Sequence, residues 1–172
     1  SYLWNAVKVK NYSREVLEKS GLFGFSNNDI YDRFRSRIMF PIWNASAKII
    51  AFGGRVFGTD DPAKYMNSPE TPLYRKSEIF YGLNLTRDAI RKNECAIMVE
   101  GYTDLIQLFQ AGIKNVVAVS GTAFTEKHVQ QIRRFSSKVY LAYDGDSAGI
   151  KASLRAGYVL LKGGVDPHVI QI

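Results

Sequence analysis

Three acidic side chains carry most of the chemistry this sequence offers. Glu100 heads the run Glu100-Gly101-Tyr102-Thr103-Asp104, and Asp144 and Asp146 flank a glycine in Asp144-Gly145-Asp146-Ser147-Ala148-Gly149. Each run follows a short apolar segment, Ile97-Met98-Val99 or Leu141-Ala142-Tyr143, and a third such segment, Val116 to Val119, ends in Ser120-Gly121-Thr122. If these segments are parallel strands, Glu100, Asp144 and Asp146 crowd onto one sheet edge. Clustered carboxylates repel one another and are costly to desolvate, and a divalent cation removes both penalties. An oxygen-only donor set suits Mg²⁺ or Mn²⁺. Gly101, Gly121, Gly145 and Gly149 each follow a strand end or open a helix, where a missing Cβ lets backbone N–H groups approach a phosphate. Two acids have a second reading. Asp104 falls in the first turn of a helix, where the macrodipole favours a carboxylate, and is a structural or supporting residue as readily as a ligand. Asp146 could cap the helix that follows, although a cap needs only one of the two aspartates.

Other chemistries are excluded by composition. Cys95 is the only cysteine, so neither an internal disulfide nor a Cys-rich zinc site can form. His128 and His168 are far apart and sit in no ligand spacing. The sequence contains no Gly-x-Gly fingerprint and no Gly-Lys-Ser/Thr phosphate loop.

The elements that must position these acids are readable in the second half of the chain. Cys95–Val99, Asn115–Val119, Lys138–Tyr143 and His168–Ile172 are short, rich in Val and Ile and apolar on both faces, as buried parallel strands are. Helical spacing joins Leu105, Leu108 and Phe109, then Val129, Ile132 and Phe135, and then the stretch from Ser147 to Lys162, which closes at Gly163-Gly164. Strand–helix–strand alternation implies a doubly wound, Rossmann-like parallel sheet flanked by helices. Asp166-Pro167 precedes the last strand, belongs to the opposite edge and is discounted as a ligand.

The first half reads differently. Ser13 to Ser20 is expected to form a short helix capped by Ser13 and closed by Gly21, with Val16 and Leu17 facing inward. Residues 21–32 are expected to be a loop. Arg33 to Phe40, continuing through Trp43, and Lys48 to Phe52 are expected to form antiparallel strands about a turn at Asn44–Ala47. Residues 59–77 are expected to be a structured loop and 85–92 a short helix. The alternation of Arg33, Arg35 and Arg37 would put three guanidiniums on one strand face. Arg55, Lys64, Arg75 and Lys76 could extend the patch, and Tyr31, Phe34, Phe40, Trp43, Phe52, Tyr65 and Tyr74 are interleaved with it. Cations that track a backbone beside aromatics that stack bases make a single-strand platform. The net charge of +7, from 23 basic and 16 acidic residues, favours a polyanionic partner such as nucleic acid. No apolar run approaches membrane-spanning length and no signal peptide is visible, so the sequons at Asn11, Asn44 and Asn84 read as chance.

A strand-terminal Glu followed by Asp-x-Asp resembles the Toprim domains shared by bacterial primases, topoisomerases and some nucleases. Six motifs together resemble the RNA polymerase core of bacterial DnaG-type DNA primases. They are Arg33-Phe34-Arg35-Ser36-Arg37-Ile38-Met39-Phe40-Pro41-Ile42, Phe52-Gly53-Gly54-Arg55, Lys64-Tyr65-Met66-Asn67-Ser68-Pro69-Glu70-Thr71, Val99 to Asp104, Gly121-Thr122-Ala123, and Tyr143 to Gly149. The resemblance implies a basic N-terminal subdomain over residues 1–93, with antiparallel strands and short helices, followed by a Toprim subdomain over 94–172. It implies a nucleotidyltransferase that joins ribonucleoside triphosphates on a single-stranded DNA template, leaving an RNA–DNA hybrid. Glu100, Asp144 and Asp146 would then hold Mg²⁺ or Mn²⁺, and Arg33, Arg35, Arg37, Lys64 and Lys76 would contact template or triphosphate. A cytoplasmic bacterial protein at the replication fork is implied, without zinc or membrane contact in this part. Replicative helicase and single-strand-binding protein would be reached only through the full-length protein. The family carries a further acidic motif after the strand that ends here, and zinc-binding and helicase-binding domains besides, so the chain is expected to be a fragment. Two other readings stay open at this point: strand cleavage at the same acidic site, and a non-catalytic single-strand-binding module.

Overall fold

Short polar caps and close glycine contacts set the local structure of the first half. The computed structural model describes residues 2–27, 29–121 and 123–170. The chain forms two compact units, Ser1–Ile42 with Ile49–Arg75, and Trp43–Lys48 with Lys76–Ile172. The first unit opens with helix α1 (Tyr2–Val7), a single tight turn at Lys8–Lys10, and helix α2 (Arg14–Ser20). Ser13 Oγ accepts the Val16 N–H at 3.3 Å, and Gly21, at φ 67°, closes α2 in the left-handed conformation. Leu17 is buried, but Val16 stands 51% exposed, against the expectation that both face inward. Consecutive helical residues point about 100° apart, and a seven-residue helix that packs on one side can bury only one of them.

The segment expected as a loop over 21–32 holds a hairpin of two three-residue strands, β1 (Phe23–Phe25) and β2 (Ile30–Asp32), paired antiparallel with Phe23 opposite Asp32. Gly24 allows it, because a Cβ there would collide with the Tyr31 ring. Asp32 anchors the chain start, its buried carboxylate accepting the backbone N–H groups of Leu3 at 2.9 Å and Trp4 at 2.8 Å. A three-stranded sheet follows in the order β3 (Arg37–Trp43), β4 (Ile49–Val56), β5 (Tyr65–Asn67). The turn falls where expected, with Asn44 Oδ1 accepting from Ser46 and Lys48 N–H. β5 is a strand inside the stretch read as loop. β3 starts only at Arg37, because Ser36 adopts a left-handed backbone (φ 50°) that breaks the extended run.

The second unit is the parallel sheet. Helix α3 (Leu83–Asn93) leads into β6 (Ala96–Val99), α4 (Tyr102–Gln110), β7 (Val116–Ala118), α5 (Glu126–Ile132), β8 (Lys138–Leu141), α6 (Ser147–Lys162) and β9 (Asp166–Val169). The strand order is β7-β6-β8-β9, with every pair parallel, so the architecture is mixed α/β as expected. β6, β7 and β8 are a residue or two shorter than their apolar segments, whereas β9 begins two residues earlier than expected, with Asp166 and Pro167 paired to Lys138 and Val139 inside the strand rather than preceding it; Gln171 and Ile172 lie outside the described residues. One face of the sheet buries Ala96, Met98, Val117, Val139 and Leu141 against Ile90 of α3, Ile132 of α5 and Leu160 of α6. The other buries Val99, Val116 and Ala118 against Leu105 of α4. No helix among the described residues is long and apolar enough to cross a membrane.

His128 is fully buried in this unit, its ring 4.8 Å from that of Phe80 and stacked on Phe124. Burial pushes its pKa from 6.5 down to about 4, against the smaller upward pulls of backbone carbonyls and Glu78. The folded state therefore holds the ring neutral, and the stability this gives is complete above pH 6.5. As pH falls from 6.5 towards 4 the unfolded chain binds a proton that the folded chain refuses, and up to about 3 kcal/mol is lost. Melts recorded between pH 4 and pH 8 are expected to show this decline in the wild type and a flatter profile in His128→Gln.

Candidate active site at the carboxyl edge of the sheet

Glu100 is the first residue beyond β6, and Asp144 lies three residues past the end of the adjacent β8, whose Leu141 is in register with Met98. Parallel pairing thus sends both acids to the same edge. Glu100 is tied down twice. Its carbonyl accepts the Ser120 N–H at 2.9 Å, and its Oε1 accepts the Asp144 N–H at 3.2 Å. Gly149, buried in the first turn of α6, lies against this pair, and a Cβ on it would stand 3.0 Å from Glu100 Oε1. Burial raises the pKa of Glu100; the Asp144 N–H opposes the shift, and the negative charges of Asp144, Asp146 and Asp104 add to it. The carboxylates therefore sense one another across the edge.

The acids differ in what occupies them. The Asp144 side chain is exposed, and its carboxylate makes no hydrogen bond among the described residues. Asp146 does cap α6, its Oδ1 accepting Ala148 N–H at 3.0 Å and Gly149 N–H at 2.8 Å. Asp104 Oδ2 accepts the Gly101 N–H at 2.9 Å, which closes the first turn of α4. Gly145 is exposed between the two aspartates, and Gly121 takes a left-handed backbone (φ 74°) after β7; Thr122 of the same motif lies outside the described residues. The structure thus brings Glu100 to Asp144 and turns one oxygen of Asp146 to the helix. Among the described residues no three carboxylate, imidazole or thiol groups stand close enough together to enclose an ion. Behind the edge, buried Tyr143 donates its hydroxyl to Met98 Sδ at 3.4 Å, and burial and the Glu100 charge both raise its pKa.

The basic residues of the first unit do not form the three-guanidinium stripe expected of a continuous strand. Arg33 and Arg35 precede β3 and only Arg37 lies in it. The Arg37 side chain is 1% exposed, donates to Ala63 O at 2.8 Å and Gly54 O at 3.4 Å, and pairs with Asp61. It is a clamp on the segment between β4 and β5, so its expected role at a nucleic-acid surface is corrected to a structural one. Arg37→Ala is expected to lower stability by about 2–3 kcal/mol in denaturant unfolding, because it strands two carbonyls and a carboxylate. Arg35→Ala should stay within about 0.5 kcal/mol. Arg35 is exposed over the Tyr31 ring (5.2 Å to the centroid), and Arg55 lies over Tyr65 (5.7 Å). Lys64 is exposed, and Arg33 is half-buried with an unpartnered Nε. Lys76 belongs to the second unit and opens a tight turn over Lys76–Glu78. The sequence reading missed that this turn is fastened to α5. The signal for it was Thr125-x-x-His128 at a helix start, a capping spacing.

Known proteins share this arrangement. Residues 1–87 match the family model of the DNA primase catalytic core, N-terminal domain, and residues 94–171 match that of the Toprim domain. The DNA primase of Staphylococcus aureus (strain COL) is 42% identical over 168 residues, which is 96% of this chain and 28% of that protein. The crystal structure of the Aquifex aeolicus primase zinc-binding and RNA polymerase domains superposes with a TM-score of 0.90 at 37% identity, covering 99% of this chain and 42% of the other. A DnaG primase catalytic domain bound to single-stranded DNA superposes at 0.83 with 36% identity, covering 98% and 55%. The chain spans little more than a quarter of the length of the curated relatives it matches. With both halves matched in order and the likeness running through nearly every residue, the chain belongs to the DnaG-type DNA primase family.

Proposed function

We propose that the intact protein is a DNA-directed RNA polymerase that makes short RNA primers on single-stranded DNA. The pairing of Glu100 with Asp144 at the carboxyl edge of a parallel sheet is the observation that carries this reading. In the reaction a primer 3′-hydroxyl oxygen bonds to the α-phosphorus of a ribonucleoside triphosphate, the bond from that phosphorus to the β-phosphate bridging oxygen breaks, and pyrophosphate leaves. Members of this family generally use divalent metals, and the residues here fit Mg²⁺ or Mn²⁺: the donors are all carboxylate oxygens, Asp144 is unengaged, and a cation would offset the repulsion that raises Glu100. Asp144 and Glu100 would hold it, with water and substrate phosphate oxygens completing the shell as Mg²⁺ requires, and Asp146 close by at the start of α6. Bound there, the cation would neutralise charge on the reacting phosphate oxygens. Glu100, with its raised pKa, is suited to take the proton of the attacking hydroxyl at a carboxylate oxygen. Arg33, Arg35, Arg55, Lys64 and Lys76 would answer the charge of template and triphosphate, and Tyr31 and Tyr65, each beneath an arginine, would stack bases. Work at a cytoplasmic replication fork, with helicase and single-strand-binding protein as partners of the intact protein, belongs to the same proposal.

Incubation of the intact protein with single-stranded DNA, labelled ribonucleoside triphosphates and Mg²⁺ or Mn²⁺ tests it. Short labelled RNA is the expected product. Nicked DNA without labelled RNA would replace polymerisation by strand cleavage at the same edge, and salt-sensitive DNA binding that ignores the cation would reduce the protein to a binding module.

A further inference from the structure

The segment from Lys76 to Tyr81 is fastened to the second unit at both ends. Tyr81 exchanges backbone hydrogen bonds with Ala118, 2.9 Å from Tyr81 N to Ala118 O and 3.2 Å in return, so it extends the free edge of β7. The start of α5 holds the other end. The Thr125 hydroxyl donates to Ser77 O at 2.6 Å, and Lys127 pairs with Glu78. His128 Nδ1 accepts the Thr125 N–H at 3.2 Å, which leaves the proton on Nε2 to face Ile79 O at 3.4 Å. Ile79 N–H in turn donates to Lys76 O at 3.5 Å. Phe80 and Phe124 wall the imidazole in, so it has no room to turn away. A buried histidine that only filled space would not need to engage the carbonyl that follows the Lys76–Glu78 turn.

We infer that His128 is a positioning residue for Lys76. By holding the carbonyl of Ile79, whose N–H is bonded to Lys76 O, His128 fixes the Lys76 backbone within the same compact unit as Glu100 and Asp144, and so sets where the ammonium meets the triphosphate of the incoming nucleotide. This rests on the reading of Lys76 as a nucleotide contact. The long lysine stem keeps its own rotamer freedom, so a wandering backbone would add to the disorder that nucleotide binding must remove.

Steady-state primer synthesis by the intact protein, with nucleotide concentration varied, tests it. His128→Phe keeps the aromatic volume and removes both ring hydrogen bonds. It is expected to raise the nucleotide KM by about 10-fold with kcat changed less than about threefold. His128→Gln, whose amide keeps a donor near Nε2, should return KM most of the way. Lys76→Ala should raise KM by at least as much, and adding His128→Phe to it should raise KM no further. Should His128→Phe fail to fold, Thr125→Val opens the same clamp at Ser77 and should show the same rise and the same loss of effect beside Lys76→Ala. A normal KM in the clamp variants beside a raised KM in Lys76→Ala overturns the positioning role alone, as would effects that multiply in the double variant. A normal KM in Lys76→Ala removes the nucleotide contact and the inference with it.

Discussion

Asp144→Asn should lower primer synthesis by the intact protein about 10²–10³-fold, and it should do so without loss of stability. The two expectations come from the same geometry. Asp144 is exposed and its carboxylate makes no hydrogen bond among the described residues, so nothing in the fold depends on its charge. Its backbone N–H, which Glu100 accepts, is untouched by the substitution. Removing the charge also removes one of the repulsions that hold Glu100 above its ordinary pKa, so the melting temperature should stay level or rise. The lost function is the ability to hold a cation against a triphosphate, and the removal of a single electrostatic contact to a reacting phosphate or oxyanion is commonly worth about 10²–10³. A second readout checks the coupling. If Glu100 must be ionised, activity falls on the acid side as pH drops through its raised pKa, and any residual activity of Asp144→Asn should persist to lower pH than that of the wild type. Primer yield, thermal melting and the pH profile are the measurements; an Asp144→Asn protein that primes at the wild-type rate would end the proposed role of this edge.

The legible parts of the fold are those in which each residue reports its own surroundings. Buried parallel strands are apolar on both faces, so β6, β7 and β8 stood out as short apolar runs, while the exposed edge strand β9 begins two residues before the run expected to form it, and α6 could be bounded at Ser147 and Lys162 because a capping aspartate precedes it and two glycines follow. The edge that gathers the acids followed from the chain direction alone. The illegible parts depend on partners distant in sequence. The β1–β2 hairpin hides in a polar stretch because its strands are three residues long, and the contact between Asp32 and α1 spans 28 residues. Arg37 looks like Arg33 and Arg35 until Asp61, 24 residues on, is brought beside it. Ser36 carries no sign of the left-handed backbone that splits the three arginines. Within the site, Glu100 and Asp144 could be placed on one edge from the sequence, but that Asp146 would give one oxygen to the helix could be posed only as an alternative.

Gly149 offers the sharpest test of how closely this edge is built. It sits in the first turn of α6 with no need for a left-handed backbone, so by helix propensity alone Gly149→Ala should stabilise the protein by up to about 1 kcal/mol. The surroundings reverse the sign. A Cβ at position 149 would collide with the carbonyl oxygen of Asp144, stand 2.9 Å from its carbonyl carbon and 3.0 Å from Glu100 Oε1. The first two are backbone atoms and cannot rotate aside, so the segment that carries Asp144 must move. The displacement is expected to cost about 1–3 kcal/mol of stability. It should also lower primer synthesis by about 10²-fold, because a shift near 1 Å in a positioned group is enough for that. Gly157, in the same helix and also buried, is the internal control, since its nearest neighbour would be Leu141 Cδ1 at 3.9 Å, an ordinary contact. Gly157→Ala should therefore gain about 0.5–1 kcal/mol and leave activity unchanged. Denaturant unfolding and primer yield of the two variants, measured side by side, separate helix propensity from site geometry; if Gly149→Ala behaves as Gly157→Ala does, then the Glu100–Asp144–Gly149 contact is too loose to position anything.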